Sequence, residues 1–136
     1  MKVLILGGTR FFGKSVVRHF HETGADITLF TRGQRSRVDL PPHKHIQGDR
    51  TNVADLANCR EQGPWDIVFD NLAYTANDVS LLVDNLKPTG RYIVTSSVSV
   101  YRYIPRTSMG YFREEDVDFG MFESAGNCSV FSTGKS

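Results

Sequence analysis

The stretch Val3-Leu4-Ile5-Leu6-Gly7-Gly8-Thr9-Arg10-Phe11-Phe12-Gly13 constrains the fold of this chain more than any other. Four apolar residues in succession, closed by glycine, read as a strand buried on both faces. Beyond the glycines, Phe12, Val16, Val17 and Phe20 recur at helical spacing and mark the apolar face of a helix. Gly24, just past His21-Glu22-Thr23, is placed to end that helix in a left-handed conformation. A strand that passes through a tight glycine turn into a helix leaves backbone N–H groups unpaired beneath the positive end of the helix. Phosphate is the ligand that such an arrangement holds.

The glycines fall at 7, 8 and 13, so no Gly-x-Gly-x-x-Gly fingerprint is present. What stands here is Gly-x-x-Arg-x-x-Gly, from Gly7 through Arg10 to Gly13. It resembles the Gly-x-x-Gly-x-x-Gly turn of the short-chain dehydrogenase/reductase superfamily, with Arg10 at the middle glycine. The whole string Gly-Gly-Thr-Arg-Phe-Phe-Gly is similar to an atypical, extended branch that is NAD-dependent epimerase/dehydratase-like. Chloroplast RNA-binding relatives share much the same turn. The resemblance implies a three-layer α/β fold of Rossmann type. It assigns Gly7, Gly8, Thr9, Arg10, Phe11, Phe12 and Gly13 to cofactor binding. Five hydrophobic runs predict a parallel sheet in the order 3-2-1-4-5 with helices on both faces.

The second strand, Ile27-Thr28-Leu29-Phe30, runs into Thr31-Arg32-Gly33-Gln34-Arg35-Ser36-Arg37. In a dinucleotide fold the end of this strand lies beside the adenosine ribose, where an acid selects NAD and an arginine accommodates the 2′-phosphate of NADP. Arg32 stands there and no acid precedes Asp39, which favours NADP over NAD. A solvated basic loop is the alternative reading. After Pro41-Pro42, a third strand around His45-Ile46-Gln47 leads into Gly48-Asp49-Arg50. The resemblance places Asp49 against the adenine amino group, with Arg50 beside it in the cofactor-binding set. Asp49 suits a turn or cap equally well. His43 and His45 lack a third ligand and do not make a metal site.

Asn52 is an N-cap candidate with Asp55 three residues on, and Val53, Leu56 and Ala57 share a face of the short helix that follows to about Arg60. Asp66-Ile67-Val68-Phe69-Asp70 is the fourth strand, and Asn71-Leu72-Ala73-Tyr74 occupies its carboxyl end, where open α/β sheets bind ligands. Resemblance puts Leu72 and Ala73 against the ribose and phosphate region of the cofactor; Ala73 is also ordinary core filler. Thr75-x-x-Asp78 reads as a capping box before a helix with Val79, Leu82, Val83 and Leu86 on one stripe. In extended relatives this helix often builds half of a homodimer interface, although Asn77, Asp78, Asp84 and Asn85 equally suit solvent.

Arg91-Tyr92-Ile93-Val94-Thr95-Ser96-Ser97 is the fifth strand, followed by Val98-Ser99-Val100-Tyr101. Ser97, four residues before Tyr101, matches the family's catalytic Ser/Thr, whose expected role is to hydrogen-bond the substrate oxygen. The family mechanism also needs Tyr-x-x-x-Lys, whose spacing sets both side chains on one helical face. The nearest match, Phe131-Ser132-Thr133-Gly134-Lys135, lacks the phenol. Gly134-Lys135-Ser136 mimics a P-loop end, but Ser129 stands where that loop needs glycine.

The 136 residues suffice for one domain with a sizeable core, and 16 Lys+Arg against 15 Asp+Glu give no electrostatic case for a nucleic-acid surface. Cys59 and Cys128 form no disulfide framework, and no run approaches a membrane span, so a cytoplasmic setting is expected. The resemblance covers residues 1–101, the expected NAD(P)-binding core; residues 102–136 are expected to be irregular, as the start of a truncated substrate or catalytic region. The implied function is the cofactor-binding domain of an epimerase/dehydratase-like oxidoreductase whose longer parent acts on a nucleotide sugar, this chain alone being inactive. A non-enzymatic NAD(P) sensor, or an RNA-binding relative, is the alternative.

Overall fold

A computed structural model describes residues 1–88 and 90–96. Residues 1–73 and 77–95 form one compact unit; the other, 74–76 with 96–136, falls almost wholly outside the described residues. In chain order the elements are β1 (Lys2–Leu6), α1 (Phe12–Glu22), β2 (Asp26–Thr31), β3 (Lys44–Gln47), α2 (Val53–Glu61), β4 (Ile67–Asp70), α3 (Ala76–Leu86) and β5 (Arg91–Val94). All the strand pairings are parallel and the sheet order is β3-β2-β1-β4-β5, as the apolar runs predict. Lys2 pairs with Asp26 on one edge of β1, and Val3 with Ile67 on the other.

Side chains alternate across β1, so its apolar run feeds two cores. Val3 and Ile5 join Ile27, Leu29 and Val17, with Val16 and Phe20 of α1 packed against them. Leu4 and Leu6 join Phe30, Ile46, Leu56, Cys59, Trp65, Val68, Leu82 and Leu86, the layer built by α2 and α3. Val3 through Leu6 are each no more than 1% exposed, and truncating a side chain so buried costs about 2–5 kcal/mol. β1 is therefore the spine of the described unit.

The helical faces differ from the sequence reading in detail. Phe12 is 50% exposed, whereas its neighbour Gly13 in the same first turn of α1 is buried. In α2 the inward residues are Leu56 and Cys59, while Val53, at the first helical position, is exposed. Asn52 does cap this helix, its Oδ1 accepting from Ala54 N at 2.9 Å. Asp55 does not close a reciprocal box; its Oδ2 accepts from Asp49 N at 2.8 Å. In α3, Leu82 and Leu86 are buried, Leu81 packs beside them, and Val83 turns outward.

Candidate functional site

The carboxyl ends of the strands are joined by hydrogen bonds that run past the strands themselves. Gly7 N donates to Phe30 O (3.1 Å), Gly48 N to Thr31 O (3.0 Å), Asn71 N to Leu6 O (3.2 Å) and Thr95 N to Asp70 O (3.1 Å). These bonds gather Gly7–Gly13, Thr31–Arg32, Gly48–Arg50 and Asn71–Ala73 along one edge of the sheet. The residues singled out from the sequence, apart from Ser97, therefore share one neighbourhood. Ser97 lies outside the described residues, as do Tyr101 and the segment 102–136.

The glycine turn is built by close approach. Gly7 and Gly8 have φ of +93° and +89°, a region that L side chains rarely adopt. A β-carbon on Gly8 would lie 3.1 Å from Val17 Cγ2 and 3.2 Å from Leu29 Cδ2. One on Gly13 would lie 2.9 Å from Asn71 Nδ2 and 3.0 Å from Gly8 Cα, so α1 rests directly on the turn. Arg10 replaces a glycine without strain, since the left-handed backbone falls on the next residue, Phe11, at φ +46°. The Arg10 guanidinium lies 5.2 Å from the centre of the Phe11 ring, which is 81% exposed.

The amino end of α1 has no side-chain cap and no acid in its first turn. Gly13 N and Lys14 N bond back to Arg10 O and Phe11 O. The N–H groups from Gly8 to Phe12 donate to no protein acceptor among the described residues. Unspent donors at a positive helix end are suited to an anion.

Beside this turn, the loop after β2 is strapped over α1. Lys14 Nζ lies 2.6 Å from Asp39 Oδ2, and Arg18 donates to Asp39 O at 3.4 Å. The Lys14 hydrogen bond holds the Asp39 carboxyl below the usual carboxylate range. Gly33 N donates to Thr31 Oγ1 (3.2 Å), which lies 2.9 Å from His45 Nε2; Arg37 Nη1 approaches the same nitrogen at 3.3 Å. An arginine can only donate, so Nε2 accepts and the ring is neutral. Burial, then the Arg37 and His43 charges, push the His45 pKa down, in agreement with that assignment. Arg37 is thus committed to the sheet edge, while Arg32 and Arg35 are exposed.

Asp49 forms a tight local turn, its Oδ1 accepting from Thr51 N (2.9 Å) and Thr51 Oγ1 (2.8 Å). Those bonds lower its pKa, with smaller help from the charges of Arg32 and Arg50. Oδ2 accepts no hydrogen bond among the described residues.

Arg50 departs from its expected place. Its side chain is 8% exposed and turned inward, with Nη2 2.7 Å from Asp70 Oδ2 and Nη1 2.9 Å from Asp78 Oδ1. The Nη1 contact is an ion pair without hydrogen-bond alignment. Nη2 also donates to Asp78 O at 3.2 Å. A guanidinium held in this way has no free face for a ligand. Asp70, fully buried, accepts in addition from Tyr92 O–H at Oδ2 (2.8 Å) and from Leu72 N at Oδ1 (2.9 Å). Burial, then the Asp70 charge, raises the Tyr92 pKa and keeps the phenol a donor. Sequence reasoning missed this group, although one signal was present: Asp70 is an acid closing an apolar strand in the middle of a sheet.

Leu72 packs on Gly7, where a β-carbon would meet its Cδ2 at 3.4 Å, and Asn71 Oδ1 accepts from Thr95 Oγ1 at 3.2 Å. Among the described residues no three His, Cys, Asp or Glu side chains converge as a metal site would require, and no helix is long and apolar enough to cross a membrane.

With this geometry in place, similarity to known proteins decides the family. Residues 3–86 match the NAD dependent epimerase/dehydratase family. The chain belongs to that family. A curated relative, the chloroplast stem-loop binding protein of 41 kDa b of Arabidopsis thaliana, is 30% identical over 113 residues, covering 74% of this chain and 30% of that protein. Among solved structures, UDP-glucose 4-epimerase from Bifidobacterium longum, in complex with NAD+ and UDP, superposes with a TM-score of 0.69 at 20% identity over 85% of this chain and 42% of the other. The dTDP-glucose 4,6-dehydratase of Bacillus anthracis, in complex with NAD, gives 0.69 at 20% identity over 96% and 48%. These two likenesses establish the shared Rossmann-type fold. The chain spans less than half the length of each of these family relatives.

Proposed function

We propose that this chain is the cofactor-binding part of a nicotinamide-dependent enzyme of the epimerase/dehydratase type. The observation that carries the reading is the run of unspent N–H groups from Gly8 to Phe12, in a turn whose glycines let α1 pack directly on it. A dinucleotide fits these residues: its pyrophosphate over the turn, its ribose beside Thr31 and Arg32, its adenine amino group at the open Oδ2 of Asp49, and Leu72 and Ala73 along the ribose and phosphate. The bound nicotinamide would supply hydride exchange. The chain's own residues neutralise the pyrophosphate charge and fix the dinucleotide's direction across the sheet edge. Ser97 would bond the substrate oxygen, and the substrate class would be a nucleotide sugar.

NADP is the proposed cofactor. No acid stands at the end of β2 to bond a 2′-hydroxyl, and Arg32 is exposed, close enough to Asp49 to lower its pKa but making no hydrogen bond or ion pair among the described residues. A charge-assisted hydrogen bond is worth about 1.5–3 kcal/mol. Arg32→Ala should therefore weaken NADPH binding by about 10- to 100-fold and leave NADH unchanged. Calorimetric titration of both cofactors against both proteins tests this. Equal affinities unaffected by the substitution would remove NADP and retain the dinucleotide site; wild-type binding of neither would remove the site.

A further inference from the structure

Arg50 stands one residue after Asp49, in a loop facing the ligand edge, yet its side chain runs inward to two other elements. It meets Asp70 at the end of β4 and Asp78 in the first turn of α3. Through Asp70 Oδ1 the same group holds Leu72 N, and Leu72 packs on Gly7 of the phosphate turn. One arginine therefore connects the loop of Asp49 to the segment 71–73 and, through it, to the glycine turn.

A buried ion cluster is a weak means of gaining stability, since removing its members from water offsets most of their attraction and a well-packed apolar replacement often folds as well. Here Arg50 Nε and Nη1 are buried with no hydrogen-bond partner among the described residues, so the balance is poorer still. What the cluster provides that apolar packing does not is direction. Nη2 alone hydrogen-bonds both other segments, Asp70 Oδ2 at 2.7 Å and Asp78 O at 3.2 Å, while Nη1 lies 2.9 Å from Asp78 Oδ1, so the planar guanidinium ties three backbone segments together.

We propose that Arg50 is a positioning residue for the adenosine half of the dinucleotide: by clamping Asp70 and Asp78 it holds the Asp49 turn at the spacing from the phosphate turn that one bound molecule must span. This rests on the dinucleotide reading above. Arg50 itself touches no ligand, and its effect on affinity passes through Asp49. Arg50→Lys retains the charge but loses the fork.

The test is calorimetric titration of NADPH and NADH against the wild-type chain, R50K, R50M, D49A and the R50K/D49A double variant, with urea midpoints for each. R50K should fold and bind the preferred dinucleotide about tenfold more weakly, as residues acting on one contact do, and the double variant should bind no more weakly than D49A alone. Unchanged affinity in R50K, whatever its urea midpoint, would reduce Arg50 to a structural residue and overturn the proposal. So would losses that multiply in the double variant. R50K decides the matter even where R50M fails to fold. Wild-type binding of neither cofactor would overturn the dinucleotide reading and this proposal with it, a result distinct from wild-type binding that R50K leaves intact.

Discussion

Substituting Gly8 by alanine tests whether the glycine turn is held by packing or only by backbone conformation. Two costs are involved. At φ +89° an L side chain is strained by about 1–2 kcal/mol. The new β-carbon would also lie 3.1 Å from Val17 Cγ2, 3.2 Å from Leu29 Cδ2 and 3.4 Å from Ile5 Cγ2. Val17, Leu29 and Ile5 are core residues with 0% exposure, and overfilling such a site costs about 1–3 kcal/mol. The expected loss is about 2–5 kcal/mol. Gly24 supplies the control: its φ is +74°, but a β-carbon added there would find nothing within 4 Å, so Gly24→Ala should lose only the strain, about 1–2 kcal/mol. Urea unfolding of both variants, followed by circular dichroism, reads the difference directly. With a slope of about 1–3 kcal/mol per molar, Gly8→Ala should unfold at a midpoint lower than Gly24→Ala by about 1 M. Equal midpoints, or a Gly24→Ala variant that is the weaker, would refute the packing argument.

Asn52→Ala should cost about 1 kcal/mol by freeing Ala54 N–H at the start of α2, measurable as a lowered urea midpoint with an unchanged slope. His45 gives a pH dependence of definite sign. Its folded pKa lies below the ordinary 6.5, so on acidification the unfolded chain takes up the proton first. The contribution is present above about pH 6.5 and is lost as pH falls through the folded value. His45→Gln should flatten the fall of the urea midpoint over that window, and a slope identical to wild type would count against the neutral assignment.

Strand order was legible because β1, β2, β4 and β5 carry short apolar runs, and β3, with Ile46 alone apolar, is set off by Pro41-Pro42 and Gly48. The glycine turn was legible because glycine there answers a steric demand visible in the spacing. The faces of the helices were less so. Periodicity reports which residues share a side but not which of them meet a neighbour, and Phe12 and Val53, each the first residue of its helix, are exposed. Cys59, considered from the sequence only for its redox chemistry, packs inward, and Trp65 Nε1 donates to its carbonyl at 3.0 Å. The Arg50 cluster was hidden for a different reason. Its partners lie 20 and 28 residues away, and no period links an arginine in one loop to acids on a strand and a helix. At Asp49 the turn reading is the one observed, its Oδ1 accepting from both Thr51 N and Thr51 Oγ1.

The central place of β1 also governs how the chain acquires its fold. One edge of β1 is filled by β2, where Lys2 meets Asp26, but the other waits for β4, where Val3 meets Ile67. Closing the longer loop costs only about 0.9 kcal/mol more than closing the shorter, so thermodynamics scarcely separates the two events. Synthesis separates them: at ribosomal speed the residues between Asp26 and Ile67 take about 2–8 s to appear. Throughout that interval the most apolar strand of the sheet has a bare edge, a template for pairing with a neighbouring nascent chain. The strand that anchors the finished fold is the one most in need of shielding while it is being made.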